Sequence, residues 1–133
     1  EMQAAILRVR FKLLPKWTER RRQIAHAYAA GIRNEKISLM SLPKDVNAHV
    51  HHLFVLTSSL RNELERFLGE NDVQSLIHYP IPIHQQPPCR EIERDPLGLV
   101  NTEKHAAECL SLPCHPGLSD VEIARVIELV NEF

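Results

Sequence analysis

The amino-acid sequence predicts an α+β fold: a small antiparallel sheet of two or three short strands covered by helices. Three observations predict it. Apolar residues recur at three- and four-residue spacing in five segments. Only two or three short runs carry the β-branched and aromatic character of strands. Glycines and prolines fall between these segments and separate them. A chain of 133 residues has the size of one domain, and helices packed on one face of a small open sheet are a stable way to bury its apolar surface.

Ala5, Ile6, Val9, Leu13 and Leu14 mark a first helix, interrupted at Pro15. Pro15 suits an early position of a second helix, whose stripe is Trp17, Ile24, Ala25, Tyr28 and Ala29 and whose end is Gly31. Arg20, Arg21 and Arg22 fall in that helix and are read as a solvated face. After a loop around Pro43, His49 to Thr57 is rich in β-branched and aromatic residues and reads as a strand. Ser58 or Ser59 then caps a helix with Leu60, Leu64, Phe67 and Leu68 inward, broken at Gly69 and Asn71-Asp72. Val73 to Tyr79 is a second short strand.

Pro80, Pro82, Pro87 and Pro88 remove backbone donors, so Tyr79 to about Val100 is a long irregular loop. Loops of this length in a small domain commonly carry function. Thr102 caps a further helix with Ala106, Ala107 and Leu110 inward and Cys109 near the core, and a short strand leads to the break at Pro113 and Pro116. Ser119-Asp120-Val121-Glu122 is a capping box, and Ile123, Val126, Ile127 and Val130 follow at helical spacing. The chain opens on Glu1-Met2-Gln3-Ala4-Ala5 inside a helix-favouring stretch with no capping residue ahead of it, an odd place for a natural start, so a fragment is expected.

With 44% hydrophobic and 25% charged residues, the chain has a soluble domain's composition. Sixteen basic and seventeen acidic residues supply no long-range attraction for phosphate backbones or anionic lipid, which argues against nucleic-acid and membrane partners. No apolar run reaches the ~18 residues of a membrane span. Cys89, Cys109 and Cys114 are an odd set without CxxC spacing, and no signal-peptide pattern is present, so a cytoplasmic setting is expected.

Four glycines leave no GxxxxGK[ST] or GxGxxG phosphate loop, and neither GxSxG nor HExxH occurs. His49, His51 and His52 are close in sequence, but in a strand only His49 and His51 share a face. They are read as structural, and no metal site is expected. His78 and Tyr79 differ, because they lie where a strand enters a proline-fixed loop. An imidazole can donate or accept near neutral pH, and a phenol offers a hydroxyl on a flat apolar ring suited to a sugar or base. The alternative is a tyrosine buried at the sheet edge with its hydroxyl bonded to loop backbone.

Six segments in order carry a family resemblance: Glu1 to Leu7, Trp17-Thr18-Glu19-Arg20-Arg21, Val50-His51-His52-Leu53-Phe54-Val55, Leu76-Ile77-His78-Tyr79-Pro80-Ile81-Pro82, Thr102-Glu103-Lys104 and Leu110-Ser111-Leu112-Pro113. Together they resemble the C-terminal part of the DegT/DnrJ/EryC1/StrS sugar aminotransferases, across essentially the whole chain. The resemblance implies the C-terminal small domain, residues 1–133, of a fold-type I enzyme dependent on pyridoxal phosphate. Such enzymes transfer an amino group from glutamate to a nucleotide-linked keto sugar, in amino-sugar or cell-surface polysaccharide biosynthesis, and work as homodimers with active sites at the subunit interface. Ile77 to Gln86 looks most like members acting on keto-hexoses joined to a nucleoside diphosphate.

The same resemblance places His78 and Tyr79 near the sugar or its diphosphate, with His84 just beyond, and makes His52 a structural histidine. The lysine that holds the cofactor belongs to a large N-terminal domain. None of Lys12, Lys16, Lys36, Lys44 and Lys104 matches its motif, so this chain alone is expected neither to bind pyridoxal phosphate nor to catalyse. Two departures leave cleft details open: His51 stands where an aromatic residue is frequent, and Cys114-His115 replaces a more usual apolar pair. The alternative to a domain of an enzyme is a stand-alone, non-catalytic binding or interaction module of the same fold.

Overall fold

All five segments with helical spacing are helices in the computed structural model, which describes residues 1–89, 91–93 and 95–133. In chain order the elements are α1 (Met2–Phe11), α2 (Leu14–Gly31), β1 (Ser38–Leu39), β2 (Phe54–Thr57), α3 (Arg61–Glu70), α4 (Val100–Glu108), β3 (Cys109–Leu112) and α5 (Asp120–Glu132). The three strands form one antiparallel sheet in the order β1-β2-β3, with Phe54 opposite Leu112 and Thr57 opposite both Cys109 and Ser38. The α+β architecture expected from the sequence is the one observed.

Apolar spacing decides which faces turn inward. Helix α2 contributes Ile24, Ala25 and Tyr28 to the core, α3 contributes Leu64 and Leu68, and α5 contributes Ile123, Val126, Leu129 and Val130. They close over Phe54 and Leu56 of β2 and Leu110 and Leu112 of β3. Tyr28 is fully buried, stacks at a tilt on Phe54 with ring centres 5.0 Å apart, and donates its hydroxyl hydrogen to the Pro113 carbonyl at 2.8 Å. Burial therefore raises the phenol's pKa, and the neighbouring Cys114 adds to the shift. At Gly31 the two long helices come close: a Cβ there would lie 2.8 Å from Ile127 Cδ1.

Ser119 caps α5 as its sequence predicts. Its hydroxyl accepts from the Glu122 N–H, and the Glu122 carboxylate accepts from the Ser119 N–H at 2.7 Å. Those Ser119 bonds hold the Glu122 carboxyl below its usual pKa.

Several elements differ from the sequence expectation. Only Phe54–Thr57 of the expected His49–Thr57 strand is extended in the sheet. His51 instead adopts a left-handed backbone with φ of 48°, and the carbonyls ahead of β2 are taken by the arginines of α2. Arg21 Nη1 donates to the carbonyls of His52, at 2.9 Å, and of Cys114, with His51 O at 3.4 Å. Arg22 Nε donates to His49 O at 3.2 Å. Arg20 reaches Leu118 O at 2.6 Å and Asp120 at 2.7 Å. The arginine run is thus a half-buried clamp on two loops, not the solvated face expected from its charge.

The Val73–Tyr79 segment is not a full strand; its sheet pairing is the single Leu76–Ser111 bridge, made by reciprocal hydrogen bonds of 3.2 and 2.8 Å. Ser58 closes the turn before α3 by accepting from Leu60 N–H, and does not sit at the N-cap itself. Helix α4 begins at Val100, ahead of Thr102, after a turn in which Asp95 accepts from Leu97 N–H and Gly98 takes φ of 78°. Leu110 lies in β3, not in that helix, and Ala107 faces solvent. Helix α1 buries no residue, and Met2, Leu7, Val9 and Phe11 are largely exposed.

Replacing Arg21 by Ala strands carbonyls of two loops and should lower stability by about 2 kcal/mol, the scale of lost charge-assisted hydrogen bonds. Urea unfolding reads the effect. Arg21→Lys should recover only part, because an ammonium cannot reproduce the guanidinium fork. A loss as small as that of Arg66→Ala, whose exposed 4.0 Å ion pair is worth almost nothing, would contradict the clamp.

Candidate functional site

The Leu76–Ser111 bridge places His78, two residues further on, beside Ser111. Ser111, buried on β3, bonds backbone to backbone with Leu76, and its hydroxyl lies 3.0 Å from His78 Nδ1. The His78 ring therefore has a fixed orientation at the edge of a cleft of about 600 Å³. His52, Asp72, Ser111, His115 and Arg125 also line that cleft, so imidazole, carboxylate, hydroxyl and guanidinium groups occur among its mostly apolar lining. This set can bind a polar ligand by hydrogen bonds and by charge of either sign.

Tyr79 follows through a cis peptide. Its ring meets the His78 ring edge-on at 5.5 Å, and the residue is 73% exposed. The reading of Tyr79 as a buried tyrosine at the sheet edge is therefore not what the structure holds. His84 lies apart from the pair. Its Nε2 is 3.0 Å from Glu103 Oε1 of α4, beside a separate cleft of about 440 Å³ that Cys89, Glu93 and Thr102 also line. His78 thus lines the larger cleft, Tyr79 stands exposed beside it without lining it, and His84 lines a different cleft farther along the same loop.

Ser111 and Glu103 carried no assigned role in the sequence. Ser111 is a polar residue flanked by Leu110 and Leu112 in a buried strand, and that is its only local signal.

The three neighbouring histidines do not share a strand face. His49 Nδ1 accepts from the His51 N–H at 2.9 Å, and the two rings lie 4.4 Å apart. His52 is exposed. Among the described residues no three His, Cys, Asp or Glu side chains gather as metal ligands. Burial pushes His51 below its ordinary pKa of 6.5, and His49, His26 and Arg22 add to the shift. Cys114 is buried, its thiol directed to His51 O at 3.4 Å, and burial raises its pKa while Arg21 pulls the other way.

The chain is a small α+β lobe with a cleft whose largely apolar lining carries a few polar side chains, His78 and Ser111 among them. A profile of the DegT/DnrJ/EryC1/StrS aminotransferase family matches residues 1–131. The chain is 38% identical over its whole length to a pleiotropic regulatory protein of Geobacillus stearothermophilus. It is 39% identical to the dTDP-3-amino-3,6-dideoxy-alpha-D-galactopyranose transaminase of Aneurinibacillus thermoaerophilus, again over its whole length. It covers 36% of each of these proteins, so it spans about a third of the length of the curated relatives it matches. The solved structure of S. venezuelae DesV in complex with a ketimine intermediate superposes with a TM-score of 0.89 at 35% identity, covering 98% of this chain and 35% of that one. The chain belongs to the DegT/DnrJ/EryC1/StrS aminotransferase family.

That family implies pyridoxal phosphate in the full-length enzyme. Lys12, Lys16, Lys36, Lys44 and Lys104 are all exposed, and none lines the His78 cleft. The His78 cleft therefore offers no lysine amine of this chain to hold pyridoxal phosphate covalently.

Because His51 has a lowered pKa in the folded state, the unfolded chain takes up the proton more readily. Its contribution to stability is complete above pH 6.5 and is lost as pH falls below that value. Urea midpoints at pH 8 and pH 5.5 should show a steeper acid loss for the wild type than for His51→Asn, since asparagine tolerates the left-handed backbone and does not titrate. Equal slopes would contradict the assignment.

Proposed function

We propose that residues 1–133 are the C-terminal small domain of a pyridoxal-phosphate-dependent aminotransferase that moves an amino group from glutamate to a nucleotide-linked keto sugar. The observation that carries this reading is similarity along the whole chain to a protein named as a dTDP-sugar transaminase. The parent works as a cytoplasmic homodimer in amino-sugar or cell-surface polysaccharide biosynthesis. Its remaining two thirds supply the cofactor's lysine, and the apolar residues exposed along α1 give that part a surface to pack on.

In this reading the lobe contributes position. His78, oriented by Ser111, and Tyr79, exposed beside it, contact the sugar or its diphosphate. His84 belongs to the same loop, with its ring on Glu103. Binding energy gained at the nucleotide, away from the reacting carbon, holds the keto group where amino transfer occurs. Polar side chains whose orientation is set by the sheet lose little freedom when the ligand arrives.

In the parent enzyme, His78→Ala and Tyr79→Phe should each raise the KM for the sugar nucleotide about tenfold, the scale of one lost hydrogen bond to a charged group, and change that for glutamate little. Steady-state kinetics with each substrate varied in turn reads the difference, and equal effects on both substrates would show that the two residues serve only the fold. The isolated chain mixed with equimolar pyridoxal phosphate and treated with borohydride should keep its mass. A stoichiometric adduct on one of its five lysines would contradict the division of labour.

A further inference from the structure

Tyr79, Pro80 and Ile81 are exposed, and from Ile81 to His84 the loop alternates. Tyr79, Ile81 and Ile83 are 73%, 54% and 75% exposed, whereas Pro82 is buried and the His84 side chain is only 12% exposed. One side of the segment therefore faces solvent and the other is anchored. The backbone hydrogen bonds that follow are local: Gln85 to Pro82, Gln86 to Ile83, Cys89 to Gln86. Such bonds shape turns without fixing where the loop sits on the domain. The His84–Glu103 contact, 3.0 Å across nineteen positions, ties this segment to α4.

We infer that Glu103 is a positioning residue for the substrate wall: by accepting from the His84 Nε2–H it pins the Tyr79–His84 segment to α4 and so sets where the Tyr79 side chain meets the sugar nucleotide. This rests on the proposed sugar-nucleotide role of Tyr79. Between the pin and Tyr79 stand Pro80 and Pro82, whose rings fix φ and leave few dihedrals to absorb a displacement. Movement at His84 therefore reaches Tyr79. At the other end His78 is held by Ser111, so the segment is fastened at both ends and presents its exposed side between them. The carboxylate–imidazole pair is half shielded, with Glu103 at 50% and His84 at 12% side-chain exposure, which strengthens it over an open surface pair.

The test uses the full-length parent carrying Glu103→Ala, Glu103→Gln, His84→Ala and the double alanine variant, with two independent readouts. Amide hydrogen exchange of residues 79–89 reports the pin itself. The KM for the nucleotide sugar, set against that for glutamate, reports its consequence. Glu103→Ala should speed exchange in 79–89 while leaving the β2 and β3 amides protected, and should raise the sugar-nucleotide KM about tenfold, as expected for a lost charge-assisted bond. Glu103→Gln, which keeps an acceptor oxygen, should restore most of both effects. The double variant should be no worse than the worse single one, since each removes the same contact. Unchanged exchange in Glu103→Ala, or strictly additive single effects, overturns the pin. Faster exchange with an unchanged KM overturns its role in positioning substrate, and Tyr79→Phe in the same assay separates that outcome from failure of the sugar-nucleotide reading.

Discussion

The structure depends most on the guanidinium of Arg21. It stands on α2 and gathers the carbonyls of His52 and Cys114, with His51 O close by, from two segments far apart in sequence. These residues lie outside β2 and β3, the contacts to His51 O and Cys114 O are partly buried while that to His52 O is exposed, and a buried carbonyl without a donor costs about 1–3 kcal/mol. The arginine bonds them and in doing so ties together the segment entering β2 and the segment leaving β3, at the end of the sheet where Phe54 faces Leu112. Arg20 on Leu118 O and Arg22 on His49 O extend the contact along the helix. His51 takes a left-handed conformation in the clamped segment, and Tyr28 of the same helix bonds the Pro113 carbonyl next to Cys114.

The cleft inherits its shape from this arrangement. His52 and Cys114, both attached to the Arg21 clamp, line the same cleft as His78 and Ser111. The segment after β3 passes from the sheet into the clamp and on to Ser119, whose capping box starts α5. The residues proposed to meet substrate therefore stand on supports that exist without it: β3 through Ser111, and α4 through Glu103. This is the preorganisation that a positioning wall requires.

Much of the fold was legible. Tyr28, Leu64, Leu68 and Val126 declare their helices by spacing, and Ser119 with Glu122 declares a helix start, because these signals act within one or two turns of chain. What was not legible depends on distant partners. His49 to Leu53 have strand-like composition, yet Arg21 and Arg22, some thirty positions away, claim their carbonyls. The same fact hid the arginines' role, since a charge run on one helix does not name the oxygens it will meet. β1, at two residues, is too short to show any period. At the site, His78 and Tyr79 could be found from the junction of strand and proline-rich loop, whereas Ser111 and Glu103 gain meaning only from neighbours 33 and nineteen positions away.

The central claim is that this lobe presents His78 and Tyr79 as a substrate wall already in place. The most direct measurement is a crystal structure of the parent enzyme with a nucleoside diphosphate sugar bound. The account predicts the sugar or diphosphate within hydrogen-bonding reach, about 3 Å, of His78 or Tyr79, with the His78–Ser111 contact unchanged from its 3.0 Å here. A ligand bound away from this segment, or one that draws His78 off Ser111 to reach it, would contradict it.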